Sequence, residues 1–115
     1  MTKERLMAFA KAWSSGDLNK VMQFFKEDCV YQPSVRNGNT IAFKGKLTVR
    51  RAIANMMEFD SSVSSKVENI HVHQDFGFWE WEYIKDNGTK ILGCDVFSFQ
   101  GDKIVSKNTL RKVDL

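Results

Sequence analysis

The 115-residue chain lacks the features that mark several classes of protein. It has one proline and two cysteines, Cys29 and Cys94, which lie far apart without CxxC spacing. A disulfide framework is therefore excluded, and we expect free thiols in predicted strands and a cytoplasmic location. No apolar run approaches the ~18 residues of a membrane span, and the first residues lack a signal-peptide core, so no membrane association is expected.

The chain has no large excess of charge of one sign: it has 17 Lys and Arg and 14 Asp and Glu, for a net charge of +3. The basic run at 44–51 is interrupted by Leu47 and Val49, and no aromatic platform accompanies it. This pattern favours a solvated helix face, and we expect no nucleic-acid partner. Aromatic residues are plentiful, with nine Phe, three Trp and two Tyr. They indicate a thick core or an apolar surface that a second copy covers.

Three helices are predicted in the first half of the chain. Thr2 is placed to cap the first helix, Gly16 to end it, and Asp17 to cap the second. Thr48 is the predicted cap of the third. The apolar stripes with helical spacing are Leu6, Phe9, Ala10 and Trp13, then Leu18, Val21, Met22 and Phe25, and finally Val49, Ala52, Ile53, Met56 and Met57.

Strands and turns dominate the second half. A short strand at 28–34 and a loop at 36–39 precede the third helix, and four longer strands follow it. The Asn87-Gly88 turn is the clearest signal, because a two-residue type I′ turn needs positive φ at both positions. Helices followed by an antiparallel meander predict a single α+β domain over residues 1–115. The predicted turns are Asp75-Phe76, Asn87-Gly88 and Gly101-Asp102.

Two-residue turns predict which side chains lie opposite one another in the meander. They place Glu80 between His71 and Asp95, and Asp95 opposite Asn108. A polar row is therefore expected on the face that also carries Phe97. A turn longer by two residues preserves these faces, whereas a bulge exchanges them. The other face is predicted to hold Ile70, Val72, Trp79, Trp81, Tyr83, Leu92, Cys94 and Val96.

Both predicted faces are too apolar to be left in water. We expect the helices to cover the Asp95 face and a second copy of the sheet to cover the other. The predicted homodimer interface is the convex sheet face with Trp79, Trp81 and Tyr83.

The order of elements, with "SSGDLNKVMQFFKEDCVYQPS" early and "GCDVFSFQGDKI" late, resembles the nuclear transport factor 2-like superfamily, in its SnoaL-like and ketosteroid isomerase-like branch. The resemblance implies a cone-shaped, cystatin-like roll in which three N-terminal helices pack on a curved antiparallel sheet around a pocket. It also implies dimers through the convex face. Enzymes of this superfamily include ketosteroid isomerases, limonene epoxide hydrolases and polyketide cyclases, and we expect no cofactor.

By this resemblance, Asp95 is similar in place to the isomerase acid that donates a hydrogen bond to a developing oxyanion. The pocket tyrosine of that family falls on Phe9, and its general base near Gln32 or Pro33. The last acid of the epoxide hydrolases and the cyclase acid both fall near Thr109. The chain thus keeps the scaffold and one acid, but no complete catalytic set.

The residues themselves suggest how a site would work. Asp95 beside Glu80 in a partly dry pocket would be two carboxylates competing to ionise, which raises one pKa and creates a proton donor. His71 would orient or relay that proton. The alternative is that Glu80 and His71 are solvated, while Asp95 accepts a hydrogen bond from a backbone amide or Asn108.

Two other charged clusters have simple interpretations. His71 and His73 with Glu80 have the ligand types of a metal site, but alternating histidines near a strand end are typical of a surface, and we expect no metal. Lys107 and Arg111 are expected to be solvated. If the last strand is bulged, however, Lys107 would be able to neutralise an acidic ligand.

We therefore predict a protein that binds a small hydrophobic ligand in a pocket with a buried acid. The alternative is a cofactor-independent isomerase, hydrolase or cyclase, with Asp95 as acid and Glu80 or Glu82 as base, assisted by His71. The other predicted pocket residues are Tyr31, Trp13, Phe9, Met56, Glu82, Phe97 and Asn108.

Overall fold

A computed structural model describes residues 1–35, 40–60 and 64–113 and confirms the α+β class, with helices packed on one face of a curved, unclosed six-stranded sheet. The loop predicted at 36–39 lies outside the described residues. The helices are α1 (Lys3–Ser15), α2 (Leu18–Met22) and α3 (Lys46–Phe59). The strands are β1 (Phe25–Gln32), β2 (Phe43–Lys44), β3 (Ser64–His73), β4 (Phe76–Ile84), β5 (Lys90–Gln100) and β6 (Lys103–Arg111).

The predicted ends of the first two helices are confirmed. The side chain of Thr2 accepts a hydrogen bond from the backbone N–H of Arg5 at 3.1 Å. Gly16 ends α1 with φ 73°, a left-handed conformation that favours glycine. Asp17 caps α2 by accepting from the N–H of Lys20 at 3.2 Å. Local hydrogen bonding therefore determines both ends, as sequence patterns at helix termini predict.

Two helix boundaries differ from the prediction. α2 ends at Met22, and Phe25 begins β1, where its side chain is still buried in the common core. α3 begins at Lys46, before Thr48, and its N-cap is Gly45, which has φ 87°. The N–H of Gly45 donates to the carbonyl of Cys29 in β1, so the sheet edge places the start of the helix. Contacts between distant segments override the local cap signal here.

The strand order is β2-β1-β6-β5-β4-β3. The meander from β3 to β6 is antiparallel, as predicted, but β1 pairs parallel to β6 and the sheet is therefore mixed. The two-residue strand β2, which lies beside β1, has no counterpart in the prediction. Within the described residues, no helix is long and apolar enough to cross a membrane.

The turn between β4 and β5 is not the predicted two-residue turn. The N–H of Lys85 donates to the carbonyl of Thr89, and the N–H of Gly88 donates to the carbonyl of Lys85, each at 2.9 Å. Gly88 has φ 83°. These bonds define a three-residue loop in which a type I turn is followed by a left-handed glycine, the second common way to use an Asn-Gly pair in a hairpin.

This turn shifts the register by one residue and exchanges the faces of β4 relative to β5. Trp79, not Glu80, lies opposite Asp95. Trp81 lies opposite Gly93, where a Cβ atom would overlap the indole ring. Glycine is therefore required at that position by the packing of Trp81 against the strand.

A bulge changes the pairing of the last two strands. The two-residue turn at Gly101-Asp102 is confirmed, because Gln100 pairs with Lys103. The register then shifts between Ser98 and Phe99, so that Asp95 lies opposite Thr109 and not opposite Asn108. This extra residue in β6 brings Lys107 onto the face that carries Asp95.

The first hairpin of the meander turns earlier than predicted. His73 pairs with Phe76, so the turn residues are Gln74 and Asp75. A second irregularity at 69–70 separates the two halves of β3, and Asn69 there has φ 54°. His71 is opposite Phe78 and its ring stacks on that residue, with ring centroids 4.7 Å apart.

The two faces of the sheet differ sharply in exposure. The inner face packs against the helices, and Trp79 and Trp81 on it are only 3% and 5% exposed. The predicted dimer face is therefore wrong in its residues, since these tryptophans belong to the core. The outer face carries the large exposed apolar side chains Phe76, Phe78, Leu92, Val96 and Leu110.

Candidate functional site

A small cavity lies between the helices and the inner face of the sheet, beside Asp95. Its volume is about 30 Å³, which is enough for a water molecule or one small polar group. A surface depression of about 210 Å³ shares part of the same lining and forms the mouth. The shared residues are Trp13, Ser14, Asp60, Ser65 and Tyr83. The remaining cavity residues are Ala10, Tyr31, Ser34, Met56, Lys66, Val67, Trp79, Trp81, Asp95, Lys107 and Thr109.

Asp95 is buried at the inner end of the cavity and is held from two sides. The indole Nε1–H of Trp79 donates to its Oδ2 at 2.7 Å. The Nζ of Lys107 lies 3.3 Å from its Oδ1, an ion pair between side chains that are 4% and 6% exposed. Among the described residues, Oδ1 makes no hydrogen bond of good geometry, although it is in ion-pair contact with this ammonium. One carboxylate oxygen is therefore free to accept a hydrogen bond in the cavity.

Lys107 is the cation of the site. Its Nζ donates to the Oγ1 of Thr109 at 2.9 Å. It also lies 4.3 Å from the ring centroid of Trp13 and 5.1 Å from that of Tyr31, within cation–π range of both. Burial lowers the pKa of Lys107, and the nearby carboxylate of Asp95 opposes that shift. The carboxylate, the threonine hydroxyl and the aromatic rings together hold this ammonium in a dry environment.

A second ion pair lies at the mouth. The Nη2 of Arg111 donates to both carboxylate oxygens of Asp60 at 2.7 Å. The guanidinium carbon also lies 5.7 Å from the ring centroid of Trp81. Asp60 lines both the cavity and the depression. The mouth is thus polar but electrically paired, so it does not attract ions of one sign.

The cavity lining also includes two residues with hydroxyl groups, Ser34 and Tyr31. The Oγ of Ser34 is buried and has no hydrogen-bond partner in the described part of the chain. Burial, followed by the charge of Asp95, raises the pKa of Tyr31 well above its ordinary value, so its phenol stays neutral. The cavity therefore contains two unpartnered polar atoms, one on Ser34 and one on Asp95.

Several predicted site residues lie where the sequence placed them. Asp95, Trp13, Tyr31 and Met56 all line the cavity. Phe9 and Phe97 are fully buried and do not line it. They pack against Trp79 with ring centroids 5.9 and 4.9 Å apart, so they support the wall that carries the indole donor.

The predicted partners of Asp95 lie elsewhere. Glu80 is exposed on the outer face opposite Cys94, and His71 is exposed on the same face against Phe78. The register at the β4–β5 turn moved both away from the cavity. An acid–base set formed by Asp95 with Glu80 and His71 is therefore contradicted.

Glu82 and Asn108 are also on the outer face. Glu82 pairs with Lys90 at 3.2 Å and with Lys66 at 3.4 Å. These lysines, first Lys90, lower the pKa of Glu82. Asn108 lies opposite Val96, because the β6 bulge turned it outward. Across residues 1–35, 40–60 and 64–113, no three His, Cys, Asp or Glu side chains gather to hold a metal.

Sequence reasoning missed the cation and most of the aromatic lining. Lys107 was expected to be solvated unless β6 was bulged, and the bulge exists. Trp79, Trp81 and Tyr83 were assigned to the wrong face for the same kind of reason. A signal was available in the Asp86-Asn87-Gly88 segment, which also fits a three-residue loop.

Comparison with known proteins agrees with this architecture. The sequence profile of the SnoaL-like domain matches residues 6–107. The chain belongs to the SnoaL-like family. No curated protein matches the sequence. The SnoaL-like family and its nuclear transport factor 2-like relatives share the cystatin-like roll seen here.

Solved structures show the same fold at low identity. A cystatin-like protein of unknown function from Xanthomonas campestris has a TM-score of 0.80 at 18% identity, over 98% of this chain and 92% of that one. A nuclear transport factor 2-like protein of unknown function from Mesorhizobium loti has a TM-score of 0.77 at 17% identity, over 96% and 89%. A de novo designed protein with a curved β-sheet has a TM-score of 0.73 at 15% identity, over 97% of this chain and 88% of that one. These likenesses establish the fold alone.

The buried ion pair yields a test by double substitution. Lys107→Met leaves Asp95 buried without a counter-charge, so the free energy of unfolding should fall by about 3–5 kcal/mol. Asp95→Asn in the same chain removes that charge and should recover most of the loss. Urea unfolding followed by circular dichroism measures both.

Lys90→Met is the matched control, because Lys90 is 58% exposed beside Glu82 and its loss should cost only about 0–1 kcal/mol. Equal costs for Lys107→Met and Lys90→Met would contradict the buried pair. So would a double variant that is as unstable as Lys107→Met alone.

Proposed function

We propose that this SnoaL-like protein binds a small, mostly apolar molecule that enters through the mouth between α1, α3 and β4 and reaches Asp95 and Lys107. The observation that carries the proposal is an aromatic cavity that ends in polar atoms without a hydrogen-bond partner among residues 1–35, 40–60 and 64–113. Ligand sites typically combine apolar walls with a few fixed polar groups. Membership of a family whose fold surrounds a pocket supports the same function.

The dimensions of the site favour a ring with a small polar substituent. A cavity of about 150 Å³ accommodates benzene in other proteins. The mouth, at about 210 Å³, is therefore large enough for one ring, whereas the inner cavity of about 30 Å³ takes only a small group. The rings of Trp13 and Tyr83 line that mouth and offer apolar contact to such a ring.

Catalysis by acid–base chemistry is the second candidate, and one observation favours it. A carboxylate and an ammonium meet in the same cavity, so one proton acceptor and one proton donor face the bound molecule. Lys107 would replace Glu80 as the partner of Asp95 in a cofactor-independent isomerase, hydrolase or cyclase. Binding remains the primary proposal, because the family catalytic sets are incomplete in this chain.

Blocking the cavity tests the binding function. Ala10 lines the inner cavity from α1, so Ala10→Leu should weaken binding of ethylbenzene about tenfold or more by filling the space that its ethyl group needs. All three tryptophans of the chain line the site, so their fluorescence, excited at 295 nm, reports the titration.

Ala8→Leu on the exposed side of the same helix is the matched control and should bind ethylbenzene as the unsubstituted chain does. If neither ethylbenzene nor any of its close analogues binds the unsubstituted chain saturably, the proposed function is overturned. Unchanged affinity in Ala10→Leu would show that the ring binds somewhere else.

We also propose that two copies pair through the outer face of the sheet. This face exposes Phe78 and Val96 together with other large apolar side chains, and monomers rarely leave such a patch in water. A groove on it has acidic Glu68 and Glu80 on one side and basic Lys112 on the other. A two-fold axis would place the acidic side of one copy against the basic side of its partner, which supports a second copy as the occupant.

Sedimentation equilibrium tests the pairing. The unsubstituted chain should sediment at twice its mass of 13.3 kDa at micromolar concentration. Val96→Glu should shift it to the monomer, because a carboxylate would be buried without a partner in the interface. Lys11→Glu, on exposed α1, is the charge-change control and should leave the dimer intact. A monomeric unsubstituted chain would contradict the proposal.

A further inference from the structure

We infer that the cavity selects a neutral hydroxyl group, so that the natural ligand is an alcohol or phenol built on an apolar ring, with its hydroxyl bridging Asp95 and Lys107 from the cavity. This inference rests on the proposed binding function and specifies the ligand class. Oδ1 of Asp95 is a carboxylate oxygen in the cavity that accepts no well-formed hydrogen bond from the part of the chain that the structure describes.

Asp95 has one carboxylate oxygen that can still accept a hydrogen bond. Its Oδ2 already accepts from the indole of Trp79, while Oδ1 accepts no hydrogen bond from any described residue. A buried acceptor without a partner costs about 1–3 kcal/mol, and more when it is charged. A ligand that donates a hydrogen bond to Oδ1 removes this cost, and a ligand without a donor leaves it in place.

Lys107 has N–H groups that can still donate hydrogen bonds. An ammonium has three N–H groups, and among the described residues one donates to Thr109. The Oδ1 of Asp95 lies 3.3 Å away as its ion-pair partner, without a hydrogen bond of good geometry. A group that contacts both charges from the cavity would therefore accept from the ammonium while donating to the carboxylate. A hydroxyl does both with one atom.

The ion pair of Asp95 and Lys107 disfavours ligands with a charged head group. The carboxylate and the ammonium already neutralise each other at 3.3 Å in a site sheltered from water. An anionic head that contacts the ammonium of Lys107 would also lie close to the carboxylate of Asp95, and a cationic head that contacts the carboxylate would lie close to the ammonium. Each would introduce a net charge into a dry cavity, which is costly. The pair thus favours a neutral head group over either ion.

The inner cavity has room for a single small polar group of the ligand. The inner cavity of about 30 Å³ admits a hydroxyl but not a larger polar head, and the Oγ of Ser34, in the same lining, has no hydrogen-bond partner among the described residues. Beyond it, Trp13 and Tyr83 line the wider mouth, where a ring would sit. Because the site narrows inward, the polar end of the ligand would lie in the inner cavity and its apolar ring in the mouth.

The test uses four probes of similar size that differ in the head group, each titrated by calorimetry: benzyl alcohol, ethylbenzene, benzylamine and benzoate. Benzyl alcohol should bind about tenfold or more tightly than benzylamine and benzoate, because only its head group is neutral and able to donate and accept. Ethylbenzene, its apolar isostere, should also bind and serves as the measure of the ring contribution.

The Asp95→Asn, Lys107→Met double variant supplies the second arm. It should lower the affinity for benzyl alcohol by about tenfold while leaving that for ethylbenzene within about threefold, because the ring contacts remain. Lys90→Met, whose side chain lies on the outer face, should change neither affinity.

The outcomes separate the two proposals. If ethylbenzene binds but benzyl alcohol gains nothing over the charged probes, or loses nothing in the double variant, the hydroxyl inference is overturned and the binding function stands. Tighter binding of benzoate would overturn it in favour of an acidic ligand at Lys107. If none of the four probes binds the unsubstituted chain, both proposals fail.

Discussion

The buried contact between Asp95 and Lys107 is the constraint on which the rest of the site depends. Neither charge would be stable alone at this depth, and each is placed by a different strand of the same sheet. Trp79 adds an indole donor from a third strand, and Phe9 and Phe97 keep that indole in position. The same core residues that stabilise this SnoaL-like domain therefore also hold the polar groups of its cavity in place.

Much of the fold was readable from local sequence because local interactions determine it. Thr2, Gly16 and Asp17 set the helix ends through bonds within a few residues, and Gly101-Asp102 closes its hairpin alone. The family motifs added the cone-shaped arrangement, which periodicity does not give. Boundaries set by distant contacts were missed, as at Gly45, where β1 places the start of α3.

The site was only partly readable, because its composition depends on single-residue shifts of register. Side chains alternate with a period of two, so one extra residue in a turn or strand exchanges a whole face. The loop before Thr89 and the bulge in β6 each add such a residue. They removed Glu80 and Asn108 from the cavity and brought in Lys107. Asp95 kept its place because its neighbours Phe97 and Phe99 fix the buried face of β5.

The most direct test of this register is the indole N–H of Trp79 in a ¹⁵N spectrum of the protein. The structure has this group donating to Asp95 at 2.7 Å, with Glu80 on the opposite face. Asp95→Asn should therefore move its resonance and accelerate its exchange with solvent, whereas Glu80→Gln should leave both unchanged. A Trp79 indole that ignores Asp95→Asn but responds to Glu80→Gln would contradict the account.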